Sequence, residues 1–533
     1  MRAGAAVSPG AVPGAELDFG DDRSGDHAAR LGPAHRVPVP HRSSAGDVGA
    51  IPPYRRGSRG ASDARRRAGG RGRGVTLTNV RKPIASAVIV GGGAVALCAA
   101  LALKRALPKA EIQLVERGNA ETGIADSVLL VHPPAMRLLD LIGLDEAGLV
   151  RAGLASHTLG DRFTGWTKAP FIVPVAEEEP VAMGIPISLI ERMRTGRRDP
   201  ATGSAAIALA EAGKFDPDSL HRTDAGDAIG YALHLDTAGF TALLRRFAEQ
   251  AGVIFTGDTD SLAEADLRLE CAGCGTVLQD ARSEDWGGEI SDGEMLLWDV
   301  AAAPSLLNEY AARDWGWQST LPGPRTTRHV AVFDPKRGVP STPRDARKLA
   351  FATGRLERPL EDRRVALGDA AAVPGPLGGF GFTLAAMHLA LLLDFMPGSE
   401  PHPLIEREYN RRAALISDEI RDFVAALHVH SQHAGAFWKR LRKHGAVGEL
   451  MQVTRRFARS GRLPPREVDA IADASWTRAL DALVEAGPGY DALALSVPLQ
   501  RADEVLEARR NAVAKLLRSQ TDYDNWLTEE RGR

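Results

Sequence analysis

Apolar and polar positions alternate without any helical or strand period until residue 84, and then a strong pattern begins. Ile84-Ala-Ser-Ala-Val-Ile-Val90 has the continuous apolar character of a strand buried on both faces. Gly91-Gly-Gly-Ala-Val-Ala96 follows, and Leu97 to Leu107 is an Ala- and Leu-rich run that predicts a helix stopped by Pro108. Glu111-Ile-Gln-Leu-Val-Glu116 predicts a second strand, which completes a strand, turn, helix, strand unit. Leu138 to Val150 predicts a helix broken at Gly143. Residues 167–230, rich in Pro, Gly and charge, predict a substrate-side insertion with long loops. Tyr231 to Leu235 predicts a short strand, Thr237 to Gly252 an amphipathic helix, and Ala265 to Gly273 a strand entering a glycine turn. Residues 276–364 mix aromatics, prolines and short strand candidates, His329 to Phe333 among them. Val365-Ala-Leu-Gly-Asp369 predicts a strand ending in an acid, Thr383 to Phe395 a helix, and Leu404 to about Leu527 a helical region whose longest run is Glu406 to His430. No internal repeat is evident.

This order predicts an α/β protein with a Rossmann-like dinucleotide domain over residues 83–400. A mixed-sheet substrate lobe is inserted at about 150–235 and 276–345, and 401–533 forms a helical C-terminal region. A chain of 533 residues exceeds what one hydrophobic core holds, which agrees with more than one lobe. Residues 1–82 stand apart. They carry eight arginines between Tyr54 and Gly74 and no periodic apolar pattern, so they cannot offset their ordering entropy by burial. Two readings fit them, a disordered tail and a translation start assigned too far upstream. The second is the expectation, with residues 1–74 absent from the native protein.

Charge narrows the function classes. A net charge of −2 gives no global case for nucleic acid or a membrane surface. No apolar run approaches the roughly 20 residues that span a bilayer. Three cysteines, Cys98, Cys271 and Cys274, cannot build a disulfide framework, which points to a reducing cytoplasm. Cys271 and Cys274 form a lone CxxC without a second ligand pair, so no metal is expected, and a small-residue turn is the preferred reading.

The chemistry concentrates at Gly91-x-Gly93-x-x-Ala96. Gly91 permits the tight turn, Gly93 admits a pyrophosphate against the backbone, and Ala94 opens a helix whose free amides face it. Ala96 is small enough for close helix packing. Glu116 closes the second strand where a carboxylate can accept ribose hydroxyls. Gly368-Asp369, followed by Gly375-Pro-Leu-Gly-Gly-Phe-Gly381-Phe382, resembles the second FAD signature of flavoprotein hydroxylases and makes FAD the expected cofactor. Here Asp369 meets a ribityl hydroxyl, and Gly381 and Phe382 start a helix toward the flavin.

Several segments in order resemble the flavin-dependent tryptophan halogenases over roughly residues 84–440. Gly123-Ile-Ala-Asp-Ser127 is similar to that family's Gly-Val-Gly-Glu-Ala loop, and Leu141-Ile-Gly-Leu-Asp-Glu146 to its following helix. Leu159-Gly-Asp-Arg-Phe-Thr-Gly-Trp166 resembles Leu-Gly-x-x-Phe-x-x-Trp, and Tyr231-Ala-Leu-His-Leu-Asp236 resembles Tyr-x-Phe-His-Phe-Asp. Gly316-Trp-Gln-Ser-Thr-Leu-Pro322 resembles Gly-Trp-x-Trp-x-Ile-Pro. Glu408-Tyr-Asn-Arg411, Ile420-Arg-Asp-Phe423, His428 and Phe437-Trp438 fit the C-terminal helical part.

The resemblance implies an enzyme in which reduced FAD and oxygen oxidise chloride or bromide, and the hypohalous acid reaches an indole beside a lysine and a glutamate. It implies as partners a small aromatic substrate such as tryptophan or an indole, and a separate flavin reductase; a second copy of the chain is a further candidate. This sequence departs at both side chains. Thr158 stands where the lysine is expected, and Gly378 where the glutamate is. Ser319 replaces the second Trp of its motif. Lys168 and His157 lie near the vacated lysine position; the plainer readings are a solvated loop lysine and a polar residue on a strand edge. Halide binding by backbone amides falls on Phe380 and Gly381. A flavin-binding paralogue without catalysis and a halide-independent monooxygenase are the alternatives.

Overall fold

The computed structural model describes residues 82–116, 123–196, 203–217, 229–257, 265–273, 277–279, 281–301, 303–485, 487 and 489–533. The N-terminal stretch through residue 81 and Cys274 lie outside them.

A six-stranded sheet holds the strands in the order Ile254–Thr256, Glu111–Val115, Ser86–Val90, Leu267–Glu270, Arg364–Ala366 and Leu360–Glu361. Every neighbouring pair is parallel except the last. The chain leaves Ser86–Val90 first for Glu111–Val115 and later for Leu267–Glu270, so the order reverses at that strand. Open parallel sheets bind ligands at such a reversal, beyond the carboxyl ends of the strands. The strands read as continuous apolar runs because both faces are covered. Ile89, Ile112, Leu114, Leu267, Leu269 and Val365 are all fully buried. Helix Ala94–Ala106 buries every residue from Ala94 to Leu103, and its small side chains let it lie close to the sheet.

A seven-stranded sheet runs Arg347–Phe351, Gly293–Ala301, Thr326–Phe333, Gly316–Pro322, Leu307–Arg313, Gly160–Thr164 and Phe171–Pro174. It is antiparallel except where Leu307–Arg313 meets Gly160–Thr164. The short strands expected across 276–364 are in fact as long as nine residues, as in Gly293–Ala301. A third sheet joins Leu130–Val131, Ala232–Leu235 and Ala155–Thr158.

The segment 167–230 is less loop-like than its Pro and Gly content implies. It contains helices Ile187–Thr195 and Ala205–Ala212. Ser204 caps the second, its hydroxyl accepting the Ile207 N–H at 3.1 Å, and Gly213 ends it in the left-handed region at φ 64°. Both caps are visible in the sequence; the short apolar stretch between them was masked by the charged flanks.

Helix Pro403–Val429 is the longest element, and Phe380–Asp394 packs against it. The window Leu377–Asp394 is long and apolar enough, by length and composition, to cross a bilayer, contrary to the reading of the sequence. It is 78% buried inside the protein, so its apolar character serves the core. Trp166 ties the C-terminal helices to the sheets. Its Nε1–H donates to the Leu427 carbonyl at 2.9 Å, and its ring meets Trp438 edge-on at 4.9 Å and Phe163 at 5.2 Å. Trp166→Ala is expected to cost about 3–5 kcal/mol in urea denaturation, from lost burial and a stranded carbonyl; a loss below about 1 kcal/mol would show that the ring is not a keystone of the core.

Candidate functional site

The sequence-selected residues converge at the carboxyl edge of the parallel sheet. Gly91, at φ 150°, turns the chain out of strand Ser86–Val90, and its N–H bonds the Val115 carbonyl at 3.1 Å. Gly93 caps helix Ala94–Ala106 without a side-chain partner, and Ala94 and Ala96 are buried beneath it. Helix-opening amides lack intrahelical acceptors and carry the positive end of the helix dipole, so this point attracts an anion. Glu116 follows strand Glu111–Val115 half-buried. It pairs with Arg245, whose guanidinium lies over the Phe255 ring at 4.8 Å. Gly368, at φ 59°, leads into Asp369, which is buried.

One group in the crevice comes from outside these motifs. The Asp126 carboxylate lies over Gly93, where a Cβ would overlap it, and its Oδ1 accepts the Val95 N–H at 2.9 Å. Asp126 belongs to the four-residue helix Ile124–Ser127. That segment is held in turn by Asp369, whose carboxylate accepts the Ile124 N–H at 2.5 Å and the Ala125 N–H at 3.0 Å. Burial pushes the Asp126 carboxyl up to about 7, opposed by its bond to the Val95 amide and raised further by Asp369. The glycine turn, the small residues, Glu116 and Asp369 suit FAD; the position of Asp126 does not. A diphosphate and Asp126 cannot share the Val95 amide, so the residues fit the cofactor only with Ile124–Ser127 displaced.

A second constellation surrounds Gly378. Gly378 and Gly379 are both left-handed, at φ 77° and 67°, and lead into helix Phe380–Asp394. Phe380 and Gly381 form its first turn, so their amides have no intrahelical acceptor. Phe382 is buried farther along and meets Phe240 edge-on at 6.5 Å. The Phe380 ring occupies the space a Cβ on Gly378 would need, and it stacks on His132 at 4.5 Å. His132 Nδ1 donates to Thr383 Oγ1 at 2.8 Å, because that hydroxyl gives its own hydrogen to the Leu130 carbonyl. His234 Nε2 donates to Asn308 Oδ1 at 2.7 Å, and the Asn308 amide donates to Asp161 Oδ1 at 2.8 Å. Tyr310 follows Asn308 by two residues on the same strand, and its fully buried ring stacks on Phe163 at 5.1 Å.

Burial sets the protonation of this cluster. It lowers His132 to about 3 and His234 to about 4, so both rings are neutral with lone pairs on Nε2 and Nδ1 respectively. It raises Asp161 to about 7, despite the stabilising bond from Asn308. A carboxyl titrating near neutrality is suited to taking or giving a proton. His234 also lines a cavity of about 210 Å³ together with Leu129, Thr237, Leu321 and Arg328. None of Asp161, Asn308 and Tyr310 was singled out in the sequence. Asn308 lies 74 residues from His234 and 147 from Asp161, and the pairing of Leu307–Arg313 with Gly160–Thr164 sets Asn308 opposite Asp161.

The remaining candidates go elsewhere. Thr158 is fully buried and donates to the Leu306 carbonyl at 3.1 Å. Lys168 is exposed in a loop, and Ser319 is buried in strand Gly316–Pro322. His157 is more than a strand-edge polar residue. It is fully buried, its Nε2 meets Glu146 at 2.9 Å, and its backbone N–H donates to Tyr523 at 2.8 Å. Cys98 and Cys271 are buried free thiols, raised by burial and by the Asp126 charge. Among the described residues no cluster could hold a metal ion.

Two outcomes follow. Asp161 stays protonated in the fold up to about 7 but ionises at 3.8 when unfolded, so wild-type stability falls as pH rises across that window. Asp161→Asn does not titrate and should therefore gain on wild type between pH 4 and pH 8 in urea melts, by on the order of 1–2 kcal/mol because Asp161 is only half-buried; a gap that does not change with pH would contradict a raised carboxyl at Asp161. Gly378→Ala should cost at least about 1 kcal/mol, from the left-handed backbone and the Phe380 ring together. Phe380→Ala in the same chain should recover part of that loss, and strict additivity of the two changes would rule out the clash.

Comparison with known proteins places the fold. The family described as tryptophan halogenase matches residues 86–270 and 328–497. Tryptophan 7-halogenase RebH of Lentzea aerocolonigenes is 23% identical over 415 residues, which cover 66% of this chain and 78% of that one. Among solved structures, BrvH, a flavin-dependent halogenase from Brevundimonas sp. BAL3, matches at 23% identity and a TM-score of 0.73, over 84% of this chain and 99% of its own. A tryptophan 6-halogenase, SttH of Streptomyces toxytricini, matches at 19% identity and a TM-score of 0.71, over 84% of this chain and all of its own, 100%. At these identities the structures establish the shared architecture, while the family match spans most of the sequence. The chain belongs to the tryptophan halogenase family.

Proposed function

We propose that this chain is an FAD-dependent oxidoreductase of the halogenase type, working with reduced flavin, oxygen and halide on a small aromatic substrate such as tryptophan or an indole. The observation that carries this reading is the glycine turn at the sheet's reversal point, Gly91 to Ala96, followed by Glu116 and faced by Asp369, in a chain of this family. A separate flavin reductase supplies the electrons, in a reducing cytoplasm, since no second dinucleotide unit is evident in the sequence. Bound and reduced, the flavin furnishes the electrons that convert oxygen into an oxidant for halide.

The chain's own residues do the rest. Gly93 and the amides of Ala94 and Val95 receive the diphosphate, and Glu116 receives the ribose. The first-turn amides of Phe380 and Gly381 offer N–H donors to a halide. Charge at the substrate is managed by Asp161, the carboxyl raised to about 7 by desolvation and bonded by the Asn308 amide. Asn308 fixes the His234 tautomer and keeps a lone pair on its Nδ1. This arrangement replaces the absent lysine and glutamate with a buried, nearly neutral set.

A second reading, a flavin-binding paralogue without catalysis, is favoured by one observation. Thr158 is uncharged, and the backbone and ring at Gly378 leave no room for a glutamate. Purified protein incubated with FADH2, oxygen, bromide and indole separates the readings by mass spectrometry. Incorporation of bromine is expected. Incorporation of oxygen would indicate a halide-independent monooxygenase, and a protein that binds flavin but leaves indole untouched would establish the paralogue.

A further inference from the structure

The segment 123–127 is built into the cofactor crevice by contacts on three sides. On the inner side the Asp126 carboxylate sits on the first-turn amide of Val95 and covers Gly93. Behind it, Asp369 accepts the amides of Ile124 and Ala125, and the Ala125 backbone packs on Gly381. On the outer side Arg347 donates to Ser127 Oγ at 2.5 Å, and Arg328 bonds the Ser127 carbonyl. Ser127 also closes the turn on itself by donating to the Gly123 carbonyl at 2.7 Å. Asp126 is buried to 8% exposure, and its carboxyl fills the space that a Cβ on Gly93 would need.

The helix N-terminus favours one anion, and a carboxylate is the protein's own substitute for a phosphate. A diphosphate and the Asp126 carboxyl would compete for one set of donors there, and would also repel each other wherever the acid is ionised. We infer that Asp126 is an internal competitor of the cofactor's diphosphate: its carboxylate holds the crevice shut in the cofactor-free protein and must leave before FAD can bind. The inference rests on the FAD reading of this crevice and adds to it a residue that sets cofactor affinity and capture rate. The binding-competent state is then a minor population, and the measured dissociation constant is weakened in proportion to its scarcity.

The test uses full-length wild type, Asp126→Ala and Ser127→Ala, with oxidised FAD followed by quenching of flavin fluorescence and ADP as a competitor carrying the diphosphate alone. Asp126→Ala should bind FAD about tenfold tighter and associate faster, and ADP should gain by a similar factor. Ser127→Ala leaves the acid in place but removes the Ser127 hydroxyl bonds to Arg347 and to the Gly123 carbonyl, so it should raise the association rate as well and stands in if Asp126→Ala misfolds. Wild type that binds FAD while both variants bind equally or more weakly would overturn the internal competitor and leave the flavin reading intact. Failure of every protein to quench FAD at about 100 μM would overturn the flavin reading and the competitor together.

Discussion

The amides that open helix Ala94–Ala106 can satisfy one anion at a time, and the architecture is arranged around that point. Strand Ser86–Val90 delivers the chain to it, Gly91 and Gly93 bare the backbone, and the strand order reverses at the same strand. The group that accepts from this helix end is the Asp126 carboxyl. The same carboxylate is linked through its own short helix to Asp369, and through Asp369 to the segment leading into Gly378. The dinucleotide crevice and the buried cluster around Gly378 are therefore neighbours in one hydrogen-bonded and packed assembly.

Each of those two regions holds a carboxyl that desolvation raises to about 7, Asp126 in the first and Asp161 in the second. The crevice concentrates carboxylates, Asp126, Asp369 and Glu116, against a helix end and Arg245. The Gly378 region is close to neutral: two histidines lose their protons to burial, and Asp161 keeps its own up to about 7. The left-handed backbone at Gly378 and the Phe380 ring stacked on His132 leave that position no space for a larger side chain.

How much was legible beforehand depended on range. The turn after Val90 declared itself, because a buried apolar run, glycines and small residues in sequence leave few other conformations. Helix Pro403–Val429 showed its period over many turns. Helix Ala205–Ala212 was lost among charged neighbours, although Ser204 and Gly213 marked both its ends. Asp126 stood in plain view within Gly123 to Ser127, yet nothing local says that a loop acid will cross to a helix end 31 residues earlier. The Asp161, Asn308 and His234 chain was the least accessible, since it exists only once the parallel pairing of two distant strands sets its register. Burial, which neutralises those histidines, is likewise a property of the whole packing and not of any motif.

The central claim is that a dinucleotide diphosphate and Asp126 use the same amide. A crystal structure of the protein with FAD bound addresses it directly. The account predicts diphosphate density over Gly93 within hydrogen-bond distance of the Val95 N–H, with the Asp126 carboxylate withdrawn. Diphosphate density elsewhere, with Asp126 still bonded to Val95, would contradict it.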